Sequence, residues 1–352
     1  MGTKTQKSEM KFDNILYGKH PLAWLLAPLS WLFCAIVQIR RQAYSIGLLT
    51  RHHLPVPIIV VGNITVGGTG KTPIVIALAQ CFKKQGFKPG IVSRGYGGRA
   101  KTWPQAVYPD SDPRLVGDEP ILLARHSGCP VAVAPKRIAA VQSLLDNEQC
   151  NVIISDDGLQ HYALHRDIEI AVLDDIRRCG NGRCLPAGPL REPLSRLKTV
   201  DFILIKSTYS QKKTPFLEET GFLTTMTCEL IMQDDIKCIV NKHSLRPLST
   251  LRDKPVHAIA GIAYPARFFT HLRDNGLKLH CHIFPDHYDY QASDIHFNDD
   301  LPVIMTEKDA VKCQHFAGPQ HWYLPITIRL PKALTERLLD TLKRKQYEPK
   351  TL

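Results

Sequence analysis

The clearest chemistry in the chain belongs to Thr65-Val66-Gly67-Gly68-Thr69-Gly70-Lys71-Thr72. Glycines at this spacing let backbone N–H groups curl around phosphate oxygens, and a helix N-terminus directly after them adds partial positive charge. Lys71 would reach the β- and γ-phosphates of a nucleotide, and the Thr72 hydroxyl would ligate Mg²⁺. The strict phosphate-loop pattern has glycine where Thr65 stands; Gly67 and Gly68 can supply the flexibility instead. A second stretch, Asn151-Val-Ile-Ile-Ser-Asp156-Asp157-Gly-Leu-Gln160-His161, ends an apolar run in two carboxylates. Strand-end acids in open α/β sheets point into the ligand crevice and hold Mg²⁺ directly or through water. Taken alone, Asp-Asp-Gly also reads as a simple turn. A GTP switch would need Asp at 155, where Ser stands, and Thr306-Glu307-Lys308-Asp309 has its lysine one place late for guanine recognition. ATP is therefore the expected nucleotide.

Four further stretches carry candidate groups. Ser93-Arg94-Gly95-Tyr96-Gly97-Gly98-Arg99 sets arginine and tyrosine in a glycine-rich loop, suited to sugar and phosphate contacts or to an ordinary tight loop. Val116-Gly117-Asp118-Glu119-Pro120 places two acids at a helix start, where they serve as dipole-favouring caps or as a base for a hydroxyl proton. Leu185–Pro193 is a proline-stiffened loop bearing Arg191 and Glu192, a fork donor for phosphate and an acid for metal, or a solvated ion pair. Phe284-Pro-Asp286-His287-Tyr288-Asp289-Tyr290 offers a histidine that could share a proton with a carboxylate across a cleft, or be structural.

The elements that must position these groups alternate. Apolar runs at 57–61, 89–93, 130–134, 151–155, 168–174 and 201–206 read as strands buried on both faces. Helices are expected at 71–85, from near Pro120 to near Gly128, and at 135–148. That rhythm predicts an α/β protein with a parallel sheet covered on both faces. Residues 207–250 break it: Phe222–Glu229 and Lys237–Val240 flank Gln233-Asp234-Asp235 as a two-stranded ribbon or linker. Periodicity resumes with strands at 256–262, 277–283 and 302–306 and a helix over 265–275. The expected division is an N-terminal segment 1–53, a core 54–220, a linker 221–250 and a smaller α/β domain 251–352.

At 352 residues with 44% hydrophobic content the chain can bury a sizeable core, and its formal charge of +12 favours an acidic partner. The ten cysteines lack any framework spacing; Cys34, Cys150 and Cys238 read as reduced core residues of a cytosolic protein without structural zinc. Residues 1–19 are polar and read as mobile. Pro21–Gln38 is 18 residues without a charge, at the short limit of a membrane span, with Pro28 set to kink or break a helix. Trp24 and Trp31, seven apart, share a helical face, and residues 1–51 carry seven Lys/Arg against two acids. Membrane association follows, with its mode open.

Together these stretches resemble the tetraacyldisaccharide 4′-kinases of the Gram-negative inner membrane. The likeness runs through the apolar N-terminal helix, GNITVGGTGKT, SRGYGGR, VGDEP, SDDGLQH, LPAGPLREP, FPDHY and MTEKDA, and covers most of the chain in order. It implies ATP- and Mg²⁺-dependent phosphorylation of the 4′-hydroxyl of an acylated glucosamine disaccharide 1-phosphate, giving lipid IVA, at the cytosolic face of the inner membrane. It implies a P-loop NTPase-like core, a two-stranded linker, a smaller C-terminal α/β domain and a membrane-associated N-terminal helix. By motif, Asp118 would be the catalytic base paired with His287. Lys71 and Thr72 would serve ATP and Mg²⁺, with Asp156, Asp157 and Glu192 near the metal. Gln160, His161 and Arg191 would line the phosphate cleft, and Arg94 and Tyr96 would approach the substrate headgroup. No nucleic acid is expected, and protein partners are left open, a monomer being one option. A membrane-bound ATPase switch shares the loop and the anchor but would not need Asp118 and His287. A nucleic-acid-dependent ATPase would need an aromatic-and-basic motif, and none is seen.

Overall fold

The computed structural model describes residues 16–18, 20–207, 225–241 and 243–347. Among the described residues, fifteen strands fall in the order β1 (Ile58–Gly62), β2 (Pro89–Ser93), β3 (Gln105–Val107), β4 (Val131–Val133), β5 (Val152–Asp156), β6 (Ile168–Asp174), β7 (Phe202–Ser207), β8 (Thr225–Met232), β9 (Asp235–Cys238), β10 (Leu245–Pro247), β11 (Pro255–Ala260), β12 (Lys278–Ile283), β13 (Val303–Thr306), β14 (His321–Leu324) and β15 (Ile326–Arg329). Nine form a large sheet in the order β15-β8-β7-β6-β1-β5-β2-β4-β3. Its strands run parallel from β8 to β4, and antiparallel β15 and β3 close the two edges. The other six form a smaller sheet, β10-β9-β14-β13-β11-β12, parallel from β14 to β12.

Strands buried on both faces need cover on both, and helices supply it. The helix Lys71–Lys84 buries Ile74, Val75, Leu78, Ala79 and Phe82, a stripe at three- and four-residue spacing, against one face of the large sheet. The helix Arg137–Glu148 lays Ala140, Val141 and Leu144 on the other face. Because β1, β2, β5, β6 and β7 run the same way, the residues after their carboxyl ends gather along one crevice: the phosphate loop, Ser93–Arg99, Asp156-Asp157, Asp174 and Lys206.

The ribbon expected from 222–229 and 237–240 is not formed; residues 222–224 lie outside the described residues. Strand β8 pairs with β7 and β15, while β9 pairs with β10 and β14 of the smaller sheet. The two-stranded connection is instead β8 with β15, one strand leaving the large sheet's body and one returning. After it, the helix Lys332–Tyr347 buries Leu334, Leu338 and Leu342 in the large sheet's core, although 251–352 reads from sequence as one smaller domain. Sequence spacing could not show this, because β15 is short and mostly exposed and draws its partner from a hundred residues away.

The N-terminal segment forms two helices, Leu22–Leu25 and Ala27–Ser45, with Pro28 in the first turn of the second. Proline there ends one helix and starts the next without losing a needed N–H. Ala23, Ala27 and Ser30 face the core body, where Ser30 Oγ donates to Cys184 O at 2.7 Å. Cys34 is joined to Cys184 by a disulfide, which corrects its reading as a reduced core residue. The loop carrying Cys184 comes from 150 residues downstream, so spacing gave no sign of the pair. The opposite face exposes Trp24 and Trp31, each 72% accessible, with Leu25, Leu29, Leu32, Ile36 and Ile39. Among the described residues no helix is long and apolar enough to cross a membrane.

Candidate active site

Val61 at the end of β1 pairs with Asp156 at the end of β5, so the phosphate loop and the strand-end acids start from adjacent strands. Gly70 caps the helix Lys71–Lys84 with φ +71°, and a Cβ there would stand 2.8 Å from Lys206 Nζ. Only glycine satisfies both the backbone and that approach. Lys71 Nζ lies 3.2 Å from Asp157 Oδ1 and donates to Asn63 Oδ1 at 3.2 Å. Arg191 reaches the same carboxylate, with Nη1 3.3 Å from Asp157 Oδ2. Its loop is hydrogen-bonded to the phosphate loop, from Arg191 N to Ile64 O and from Val66 N to Pro189 O. Burial works against the charge of Asp157, but Lys71 and Arg191 outweigh it and hold its carboxyl below the usual range. Two cations thus converge on one acid where phosphate would arrive.

Asp156 differs from its neighbour. It is buried, its Oδ1 has no hydrogen-bond partner, and burial, with Glu119 adding to it, pushes its carboxyl up to about 7. The Thr69 hydroxyl is buried and unpartnered as well. A buried carboxylate with an open oxygen beside a phosphate loop has the chemistry of a cation ligand. Mg²⁺ takes one or two protein oxygens and draws the rest from phosphate and water, so this sparse donor set, Asp156 with Thr72, fits it. Among the described residues no cluster of three His, Cys, Asp or Glu could hold a metal unaided.

Glu192, expected near the metal, has protein partners on both oxygens. Its carboxylate accepts from Gln160 Nε2 at 2.8 Å and from the Tyr162 hydroxyl, and Arg196 Nε stands 3.2 Å away. Both oxygens are engaged in a buried network that fixes the loop, Oε1 by Gln160 and Oε2 by Tyr162 and Arg196. Gln160 also donates to Asn63 O at 3.0 Å, so it braces the loop's approach from β1. Burial and the surrounding arginines take His161 down to about 4, so its ring is neutral, with Nε2 buried and unpartnered.

The opposite wall of the cleft comes from two bodies. Asp118 opens the helix Asp118–Ser127 after Gly117 (φ +90°), and its Oδ1 accepts from Glu119 N at 2.9 Å. Its Oδ2 makes no short hydrogen bond and faces three nitrogens: His287 Nδ1 at 3.5 Å, Lys312 Nζ at 3.9 Å and Lys308 Nζ at 4.0 Å. Burial raises this carboxyl's cost of ionisation, yet His287, Lys308 and Lys312 outweigh it and hold it at about 2. Asp118 in turn raises His287 above its ordinary value, against burial and Lys308. Tyr96 sets its ring edge to His287 at 4.9 Å and is 63% exposed; Arg94, on the same loop, is also exposed. The structure therefore brings Asp118, His287 and Tyr96 together.

Several groups in the cleft carried no sequence signal. Lys206 is buried beside Asp174 at 3.1 Å, and Arg267 of the smaller body reaches Asp174 at 3.4 Å and Asp175 at 2.8 Å. Lys308, at the start of the helix Glu307–Cys313, donates to Glu119 Oε1 at 3.0 Å and Asp286 Oδ1 at 3.1 Å. These residues sit at strand ends and helix starts, where only the pairing of strands reveals proximity. A cavity of about 300 Å³ runs from Gly68, Gly70 and Thr72 past Lys206 to Phe268 and Ile328, between the two bodies.

Comparison with known proteins agrees with this geometry. The family model for tetraacyldisaccharide-1-P 4′-kinase (LpxK) matches residues 22–343. The chain is 50% identical over 329 residues to the tetraacyldisaccharide 4′-kinase of Nitrosococcus oceani, covering 93% of each chain. It is 48% identical over 330 residues to that of Alkalilimnicola ehrlichii, covering 92% of this chain and 93% of the relative. The crystal structure of LpxK from Aquifex aeolicus in complex with ATP superposes with a TM-score of 0.75 at 31% identity, covering 93% of this chain and all of that one.

Proposed function

The chain belongs to the tetraacyldisaccharide-1-P 4′-kinase family, and from that premise we propose that it transfers the γ-phosphate of ATP to the 4′-hydroxyl of an acylated glucosamine disaccharide 1-phosphate. The observation that carries the reading is the open Oδ2 of Asp118, facing His287 across two bodies at the mouth of a phosphate loop. An ATPase without an alcohol acceptor has no use for that pair.

Lys71, Arg191 and the loop N–H groups bind and orient the triphosphate. The acceptor hydroxyl gives its proton to Asp118 as its oxygen bonds to the γ-phosphorus, and the bond to the bridging oxygen breaks, ADP leaving with the electron pair. A carboxylate held at about 2 is a weak equilibrium base, so it orients the hydroxyl first and takes the proton late, as a loose transition state requires. His287, kept protonatable beside it, shares the charge that results. Bound by Asp156 and Thr72, Mg²⁺ would neutralise charge on the transferring phosphoryl group. Closure of the smaller body over the loop excludes water that would otherwise hydrolyse ATP.

The exposed Trp24–Ile39 face, bordered by Arg40 and Arg41, supports a helix lying in the surface of an anionic bilayer, with the cleft on the cytoplasmic side of the inner membrane. An acylated acceptor lives there. The test is transfer of label from γ-labelled ATP to the purified disaccharide 1-phosphate in detergent micelles, with Asp118→Ala alongside. Label in the lipid, lost in the variant, supports the reading; ATP hydrolysis with no label in lipid overturns it. Retention of wild-type binding to anionic vesicles by Trp24→Ala/Trp31→Ala would overturn the placement at the membrane.

A further inference from the structure

We propose that Lys308 is a positioning residue for phosphoryl transfer, whose ammonium, clamped between Glu119 and Asp286, holds His287 in the tautomer that presents Nδ1–H to Asp118. The inference rests on the Asp118–His287 pair proposed above.

Lys308 Nζ stands 3.3 Å from His287 Nε2. An ammonium has donors and no acceptor, so Nε2 must offer its lone pair, and the single ring proton of neutral His287 is then on Nδ1. Nδ1 is the nitrogen facing Asp118 Oδ2. One lysine thereby fixes which way the pair is wired. The clamp is built from both bodies. Glu119 follows Asp118 on the helix Asp118–Ser127, while Asp286 precedes His287 after β12, and its Oδ1 accepts from both Lys308 and His287 N, the latter at 3.1 Å. His287 sits at φ +60°, a backbone state that a non-glycine residue keeps only when its neighbours hold it.

The base of the lysine is equally fixed. Thr306 caps the helix Glu307–Cys313 by accepting from Asp309 N, and Asp309 Oδ2 takes bonds from the Thr306 hydroxyl and from Gly261 N at 2.9 Å. Glu307 pairs with His126 at 2.7 Å, a second tie to the core body. The charged and titratable groups facing His287 are therefore Asp118 and Glu119 from the core helix, Tyr96 from the loop after β2, Asp286 from its own loop, and Lys308 with Lys312 beyond it. Burial opposes the charge on Lys308, but Glu119, Asp118 and Asp286 outweigh it and keep the lysine cationic. Asp118 raises the ring's affinity for a proton and the cation beside Nε2 works against it; in the neutral ring the proton is on Nδ1, facing an ionised Asp118. The clamp joins residues of both bodies, so their contact and the wiring of the pair are one arrangement.

The experiment compares Lys308→Met and Lys308→Arg with wild type in full-length enzyme, reading kcat and kcat/KM against pH, Kd for ATP, and Tm. Misorienting a catalytic pair by about an ångström costs on the order of a hundredfold. Lys308→Met should lose roughly that in kcat, with Kd for ATP within about threefold of wild type. Its acidic limb should move to higher pH, because His287 protonates more easily once the neighbouring cation is gone; Lys308→Arg should restore the limb. If Lys308→Met is too slow for a pH profile, ¹⁵N-histidine spectra, with His287→Ala used for assignment, should show Nδ1–H in wild type and mixed tautomers in the variant. An unmoved limb, an unchanged tautomer, or a loss confined to ATP affinity overturns the inference. Asp118→Asn separates the two layers: if it transfers phosphate normally, the pair itself is wrong. If it is inactive while Lys308→Met keeps the wild-type profile, only the role of Lys308 falls.

Discussion

The two walls of the cleft are built by different means. On one, Lys71, Asp157 and Arg191 come from loops at the ends of neighbouring parallel strands of a single sheet. Their ion pairs lie within one body. On the other, Asp118 and Glu119 meet Asp286, His287 and Lys308 across an interface, so the wall needs residues of both bodies. Under the function proposed above, the first wall holds the triphosphate. The second serves the acceptor, and drawing it from both bodies would make chemistry depend on their contact.

The widest separation between the walls is expected from Lys71→Ala. It removes the charge aimed at the β- and γ-phosphates, and transfer should fall by about 10³-fold or more. Binding of the lipid, measured in the absence of nucleotide, should be unchanged, because nothing on the second wall touches Lys71. Turnover near wild type would remove the phosphate-loop assignment and the comparison with it.

That contrast also explains what could be read from the chain. Residues 65–72 and 151–161 were legible because a phosphate loop and a strand-end acid are local patterns, written within about ten residues. The strands they follow were legible for the same reason, apolar runs falling within a residue or so of β1, β2, β5, β6 and β7. Lys308 was not, since its meaning depends on Glu119 and Asp286, 189 and 22 residues away. Nor was the β8–β15 pairing, whose strands are separated by the whole smaller sheet. Glu192 shows the converse: its motif suggested a metal, but the local pattern could not reveal that Tyr162 and Arg196 would take up its oxygens.

Glu192 and Asp157 sharpen the comparison inside the first wall. Glu192→Gln takes one of two carboxylates from buried Arg196, which keeps Glu169, and should lower Tm by a few degrees. Transfer per folded molecule should stay close to wild type. Asp157→Asn, at a partly exposed carboxylate, should do the opposite: a loss of roughly ten- to a hundredfold in kcat as Lys71 and Arg191 lose their anchor, with Tm little changed. Thermal scans beside transfer assays check both, and a Mg²⁺-dependence altered only in Glu192→Gln would return that residue to the metal.

The smallest expected effect is also the most specific, because it runs against the usual direction for a mutation at a site. Asp156 has its carboxyl raised by burial to about 7, so the native protein keeps a proton that the unfolded chain has already released. Stability therefore falls as pH rises from about 4 to about 7, and above that window the whole penalty is present. Asp156→Asn removes the ionisable group and keeps the shape. Without nucleotide it should raise Tm by a few degrees at pH 8 and by almost nothing at pH 4.5, where the acid is neutral anyway. Adding Mg²⁺ and ATP should reverse the ranking, since ligand that binds only the native state stabilises it by RT ln(1 + [L]/Kd), and the variant has lost the oxygen that draws the cation. An Asp156→Asn protein no more stable than wild type at pH 8 would mean that the buried carboxylate is satisfied by something other than a metal. The first wall would then be complete without its cation, and its difference from the second would narrow to geometry alone.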